Sequence, residues 1–144
     1  MGDPLSVLAS VVGILAAATK IASALSGIKS SLADAPRSID HALSQVNGTK
    51  IALSAIEKLL QDTGGTLTGQ VGMIQVDDLV VTMTEAVLTF DELETLVAPF
   101  LGISTVAIRE RMKWAWKDDQ IESLLVRLDR HKSTLLLMLS IAQS

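Results

Sequence analysis

The stretch that decides the fold is PLSVLASVVGILAAATKIASALSGI, from Pro4 to Ile28. Asp3 is a favourable N-cap, and Pro4 suits the first helical position, where its missing N–H costs no hydrogen bond. Lys20 is the only charged residue in the stretch, and large aliphatic residues fall on every side of its first half. An ordinary amphipathic surface helix has a polar stripe, which is missing here. We therefore predict one long, strongly apolar N-terminal helix.

A second helix is predicted between two connecting segments. Pro36 disfavours helix at the residue before it, so Leu32–Arg37 is predicted to connect the first helix to a second over Arg37–Asp62. Asn47-Gly48 in the middle of that second helix indicates a possible bend. The glycine-rich stretch Asp62–Gly72 is predicted to be a loop.

The second half of the chain predicts three more helices. Apolar residues from Val76 to Phe100 recur at spacings of three and four, and this pattern ends at Pro99–Gly102. A shorter helix is expected over Ser104–Lys117 and a longer one over Asp118–Ile141. We predict an all-α fold: a helical bundle of about four to five helices forming one domain over 1–144, with 1–30 as the membrane-active N-terminal helix and 31–144 as the rest of the bundle.

Composition agrees with helices packed on helices and excludes several function classes. Apolar residues make up 49% of the 144 residues but aromatic residues only 3%, so the core must be aliphatic. Without cysteine the chain has no disulfide, thiol nucleophile or thiolate metal site, which suits an intracellular location. The net charge of −4 argues against nucleic acid as a partner.

Catalytic patterns are each missing a required part. In the loop stretch GGTLTGQ, Gln70 occupies the position where a phosphate-binding loop needs lysine. His41 and His131 each lie alone on a predicted helix, whereas metal sites need several converging ligands. No serine lies in a G-x-S-x-G nucleophile elbow. We expect no enzyme, no cofactor and no metal.

The first helix is close to the threshold for membrane insertion. A span of the hydrocarbon core takes about 20 residues. The large aliphatic residues of Pro4–Ile28 contribute roughly −3 to −6 kcal/mol on the insertion scale, and a central lysine opposes this by roughly 2.5–3.5 kcal/mol. Ala9, Gly13 and Ala17 form a row of small residues that favours close helix packing in lipid, and equally in a protein core. Both a buried core helix and a membrane-active helix therefore stay open.

A second membrane candidate is the basic, tryptophan-containing run Arg109–Lys117. Tryptophan favours the headgroup region, and bases near the surface attract anionic lipid. The alternative, favoured for Trp114 and Trp116 individually, is that a tryptophan packs in the core while the bases form a solvated face.

Two sets of residues follow from these patterns. The candidates for membrane insertion are Leu5, Val7, Leu8, Val11, Val12, Gly13, Ile14, Leu15, Ile21 and Leu25. The candidates for contact with lipid headgroups are Lys20, Lys29, Arg109, Arg111, Lys113, Trp114 and Lys117.

Three stretches resemble a known family. The opening DPLSVLASVVGI, from Asp3 to Ile14, resembles the start of the fungal HeLo-like domains found at the N-termini of NLR-like (STAND) receptors and related cell-death effectors. Met112-Lys113-Trp114 and HKSTL at 131–135 are similar to the tail of the same pattern. The resemblance extends over nearly the whole chain.

The resemblance implies a cell-death executioner domain in fungal innate immunity and heterokaryon incompatibility. Such a domain is cytoplasmic at rest. A sensor or amyloid-signalling partner protein drives it into a homo-oligomer that releases the N-terminal helix into an anionic phospholipid membrane, the plasma membrane. The alternative is a non-lytic protein-interaction and oligomerisation module of an NLR-like signalling protein. Gly13 is the preferred probe to separate the two, because polar substitutions of large residues in the helix also threaten a core.

Overall fold

Five α helices make up the part of the chain that the structure describes. The structure, a computed structural model, describes residues 4–62 and 76–143, and the side chains of residues 7–62 and 78–141. The helices are α1 (Pro4–Ser31), α2 (Arg37–Asp62), α3 (Val76–Val97), α4 (Thr105–Ala115) and α5 (Asp118–Gln143), with a 3-10 turn over Ala98–Phe100. This confirms the predicted all-α bundle with an apolar N-terminal helix. The predicted loop Asp62–Gly72 lies outside the described residues beyond its first position.

Four long helices form the bundle. α1 packs against α2 and α3, and α5 packs against the same two helices, so α1 lies diagonally across from α5. The short connection around Pro36 makes α2 antiparallel to α1. α3 runs parallel to α1, because Val7 and Met83 line one groove near the start of both helices while Lys20 reaches Glu94 further along. Side-chain pairs along α5 are Glu122 with His41, Arg127 with Glu92, His131 with Thr89, and Lys132 with Gln45.

The core face of α1 is a regular stripe. Its members are Val7, Val11, Ile14, Ala18, Ile21, Leu25 and Ile28, each at most 3% exposed. Their spacing alternates between four and three residues, which is the heptad spacing of helices that pack nearly in line. The buried residues of α2 follow the same rhythm: Ile39, Ala42, Val46, Thr49, Leu53, Ile56 and Leu60. The two stripes face each other and form the largest seam of the bundle.

A smaller apolar cluster closes the end of the bundle where α1 finishes. Ile28, Ile39, Phe100 and Ile108 are its buried members. α4 begins at an N-cap, Ser104, whose hydroxyl accepts a hydrogen bond from the backbone N–H of residue 107 at 3.2 Å. This short helix therefore lies over the C-terminal end of α1.

Two local features of α1 and α2 add to the sequence analysis. α2 continues as a helix through Asn47-Gly48, where Gly48 gives room to a neighbouring side chain: a Cβ there would lie 3.2 Å from Cδ of Lys132. α1 is not surrounded by protein, since Val12 is 49% exposed and lies opposite the buried stripe. A polar substitution at this position therefore does not enter the core.

Neighbouring positions on α2 test the described core. Leu53 is fully buried whereas Ile51 is 72% exposed. We expect Leu53→Ala to lower the free energy of unfolding by about 2–5 kcal/mol, because it leaves a cavity. Ile51→Ala should change it by less than about 0.5 kcal/mol. Urea denaturation followed by circular dichroism measures both, and equal losses would contradict the helix orientation.

Candidate functional site

The surface of α1 that faces away from the bundle has two unlike halves. Its first half is apolar or small, and its exposed residues are Ala9, Val12, Gly13, Ala16 and Thr19. Its second half is polar, with exposed Lys20, Ser23, Ser26, Lys29 and Ser30. The first half therefore has no charge on either face, whereas the second half is an ordinary amphipathic helix.

By length and composition, α1 meets the requirements of a membrane span. The candidate span is Val7–Ser31, 25 residues long. An 18-residue stretch of it has a mean hydropathy of 1.9, and a third of that stretch is buried inside the bundle. A core helix of a globular protein and a signal sequence can have the same properties, so this observation alone is weak.

The predicted insertion residues divide between the two faces of α1. Val7, Val11, Ile14, Ile21 and Leu25 are buried in the bundle core. Leu8 and Leu15 are half-buried against it, and Val12 and Gly13 are exposed. The side chain of Leu5 lies outside the described residues. Five of the ten predicted insertion residues thus lie in the core.

The seam between the first half of α1 and α3 is incompletely filled. A mostly apolar groove follows it, lined on the α1 side by the small residues Ser10, Gly13 and Ala17 and by the larger Val7 and Ile14, which face α3. Small side chains leave space that larger ones would fill, so dispersion contacts are fewer along this seam. The stripe itself stays buried, but one flank of α1 is lightly packed.

Lys20 and Lys29 each bind a carboxylate of another helix. Lys20 Nζ lies 2.9 Å from Glu94 Oε1 on α3, and Lys29 Nζ lies 2.7 Å from Asp40 Oδ1 on α2. All four side chains are at least one-third exposed, so each pair contributes at most about 1 kcal/mol. The pairs orient α1 but do not lock it.

The four bases around α4 differ in how firmly they are held. Arg111 is fixed, since its Nη1 donates to the Pro99 carbonyl at 2.7 Å. Arg109 Nε donates to the carbonyl of Ser31 at 3.4 Å, and Lys113 Nζ lies 3.4 Å from an exposed glutamate. The side chain of Lys117 has no hydrogen bond or ion pair to the described residues. Arg109, Lys113 and Lys117 are therefore available to a ligand.

The two tryptophans have different roles. Trp116 packs edge-on against Phe100, with ring centroids 6.1 Å apart. Its Nε1 donates to Ser38 Oγ at 3.0 Å and to Asp118 Oδ1 at 3.2 Å. Trp114, in contrast, is 64% exposed. Trp116 thus packs at the core as one alternative predicted, and Trp114 is the headgroup candidate that the solvent reaches.

Sequence reasoning missed the network that holds Trp116. Ser38 lies at the start of α2 and donates a short hydrogen bond to Asp118, which begins α5. The two residues are 80 positions apart in the chain, and no local motif marks either of them. Their pairing joins the start of α2, the start of α5 and the end of α4.

The two histidines each contact a side chain of another helix. His41 Nδ1 lies 3.2 Å from Glu122 Oε2 at the surface. His131 is buried, and its Nε2 lies 2.9 Å from Thr89 Oγ1. Over residues 4–62 and 76–143, no three His, Asp or Glu side chains come together in a way that could hold a metal ion.

Comparison with known proteins leaves the family open. No protein-family model matches the chain, and neither a curated protein nor a solved structure matches it. The resemblance to HeLo-like domains stays a prediction.

The buried His131 predicts how stability depends on pH. Burial lowers the pKa of this imidazole from its ordinary value of 6.5; Glu85 opposes the shift, while Arg127 and Arg130 add to it. The unfolded chain therefore binds a proton more readily than the folded one. The contribution of His131 to the free energy of unfolding is therefore fully present well above pH 6.5 and is lost as the pH falls through that value.

Replacement of His131 tests this prediction. Urea denaturation of the native chain at pH 7.5 and 5.5 should give a lower midpoint at the acidic pH. In His131→Gln, which can still bond Thr89, the difference between the two midpoints should shrink. An unchanged difference would place the titrating group elsewhere.

Proposed function

We propose that this chain is a membrane-permeabilising domain of the cell-death executioner type, which oligomerises and transfers α1 from the bundle into an anionic membrane. The observation that carries the proposal is the first half of α1, which is uncharged on both faces although one face is exposed to water. At rest the domain is cytoplasmic, and on activation it acts at the plasma membrane. A sensor or amyloid-signalling partner supplies the trigger.

The free energy of apolar burial differs between release of α1 into water and release into lipid. Its stripe contains six large aliphatic side chains, and burial of each contributes roughly 1.5–3 kcal/mol. The sum, about 9–18 kcal/mol, is comparable to the whole stability of a typical domain, about 5–15 kcal/mol. Release of α1 into water is therefore prohibited. Release into lipid is not, because hydrocarbon buries the same stripe and also covers the exposed first half.

The charge of Lys20 opposes full insertion. Lys20 lies near the middle of the span Val7–Ser31 and must leave Glu94. A central lysine costs roughly 2.5–3.5 kcal/mol. Lys20 shares one face of the helix with Ser23 and Ser26, and in an oligomer this face can turn toward a water-filled path. A polar face of this kind supports permeabilisation over simple anchoring.

The position of α4 is consistent with the same arrangement. Arg109 contacts the carbonyl of Ser31, so α4 lies beside the C-terminal end of the candidate span. When α1 crosses the bilayer N-terminus first, that end lies at the headgroups. Arg109, Lys113 and the exposed Trp114 are then at the level of the headgroups, where cations and tryptophan are favoured.

The second candidate function is a non-lytic interaction and oligomerisation module. It is favoured by exposed apolar side chains away from α1, such as Val126 and Leu137 on α5, which are 60% and 62% exposed. Such residues suit a protein contact and have no part in the insertion of α1.

The experiment is dye leakage from vesicles of phosphatidylglycerol and phosphatidylcholine, at protein concentrations where cross-linking detects oligomers. Val12→Glu adds a charge on the exposed face of α1, so the bundle should stay folded. The added charge raises the cost of crossing by roughly 2.5–3.5 kcal/mol, and the leakage rate should fall at least about tenfold. Ile51→Glu adds the same charge to the exposed face of α2 and should leak like the native chain.

Each outcome favours one candidate function. Equal leakage from the Val12 and Ile51 variants would exclude insertion of α1 as the cause. Oligomers of the native chain that leave the vesicles intact would favour the interaction module. Deletion of residues 1–20 is a poorer test, because it also removes Val7, Val11 and Ile14 from the core.

A further inference from the structure

A cleft lies between α4 and the connection from α1 to α2. Its apolar floor is formed by Leu32 and Pro36 of the connection, by Met112 of α4 and by Trp116 just after α4. The indole N–H of Trp116 donates hydrogen bonds to Ser38 and Asp118, which fix the position of the ring. The cleft is therefore rigid on the α4 side.

Two cations stand at the cleft. Arg109 and Lys113 line it and are four residues apart on α4, so their side chains lie on one face, one turn apart. Only Nε of Arg109 has a partner within the described residues, which leaves its two terminal nitrogens to donate to a ligand. Lys113 has only the exposed contact to Glu110 at 3.4 Å.

Asp34 partly offsets the positive charge of the cleft. Asp34 also lines the cleft, and its carboxylate has no ion pair or hydrogen bond to the described residues. Two cations and one anion leave a net positive charge. A small, highly charged anion is thus attracted less strongly than the two bases alone would predict.

We propose that this cleft binds one anionic phospholipid, with the phosphate between Arg109 and Lys113 and the first methylenes of the acyl chains on the apolar floor. Guanidinium and ammonium groups are the usual donors to phosphate oxygens. Acyl methylenes can cover the apolar floor and remove it from water, whereas a free phosphate cannot. The inference rests on the proposed function and deepens it, because the bound lipid fixes α4 at the headgroups beside the end of α1.

The probe is dihexanoyl phosphatidic acid, which is monomeric at low concentration, titrated by isothermal calorimetry against the full chain. Inorganic phosphate should bind at least about tenfold more weakly, since each buried methylene adds about a fourfold gain in affinity. Arg109→Gln combined with Lys113→Gln should weaken phosphatidic acid binding at least about tenfold. Asp34→Asn should strengthen it.

A matched control separates the cleft from general surface charge. Lys117→Gln removes one exposed base of the same region that does not line the cleft, and should change the affinity less than about twofold. Circular dichroism checks that every variant stays helical. Binding of inorganic phosphate as tight as that of the lipid would overturn the proposal, as would an equal loss in the Lys117 variant or no heat at millimolar lipid.

Vesicle leakage distinguishes failure of the cleft from failure of the proposed function. Lipid bound in the cleft without leakage from vesicles would support the cleft and contradict permeabilisation. Leakage by a native chain that does not bind phosphatidic acid would overturn the cleft alone.

Discussion

The structure depends on the burial of one stripe of α1 against α2 and α3. Val7 to Ile28 repeat every four and three residues along this stripe, and α2 presents a stripe of the same rhythm. The remaining contacts of α1 are weaker: two exposed ion pairs and a lightly filled groove beside Gly13 and Ala17. The helix is thus held by apolar burial and little else. Such burial is non-directional, so hydrocarbon can shield the stripe from water as protein does.

The helices were predictable because their signals are local. Pro36 marked the boundary between the first two helices, and the predicted range Arg37–Asp62 is the observed range of α2. The face of α1 that enters the core was not predicted. Leu8, Val12 and Leu15 are as apolar as the stripe itself, and they hid its heptad spacing among other apolar positions. Packing against α2 and α3, which the sequence does not encode locally, decides which residues are buried.

The candidate site was predictable in composition but not in arrangement. The basic run around α4 was visible in the sequence, whereas its place at the C-terminal end of α1 depends on contacts such as Arg109 with Ser31, 78 positions away. The same is true of the cleft, which joins residues from two distant parts of the chain. Trp114 and Trp116 lie in the same basic run and look alike in the sequence. Only the packing shows that Trp114 is exposed and that Trp116 lies edge-on against Phe100.

In the proposed function, the apolar helix α1 and the basic, aromatic surface at its C-terminal end act as one unit. Electrostatic contact of α4 with anionic headgroups would bring the end of α1 to the membrane, and the bilayer would then surround the apolar stripe. In the proposed oligomer, neighbouring copies would cover the polar face around Lys20, which is the part of α1 that lipid does not accept.

The most direct test of this account measures the depth of α1 in the bilayer. The chain has no cysteine, so Gly13→Cys gives a single labelling site, at a position where an added side chain meets open space. With an environment-sensitive fluorophore there, the account predicts quenching by lipids brominated deep in the acyl chains, and no such quenching from the same label at Ile51→Cys. Quenching at Gly13 only by a water-soluble quencher, while leakage proceeds, would contradict insertion of α1.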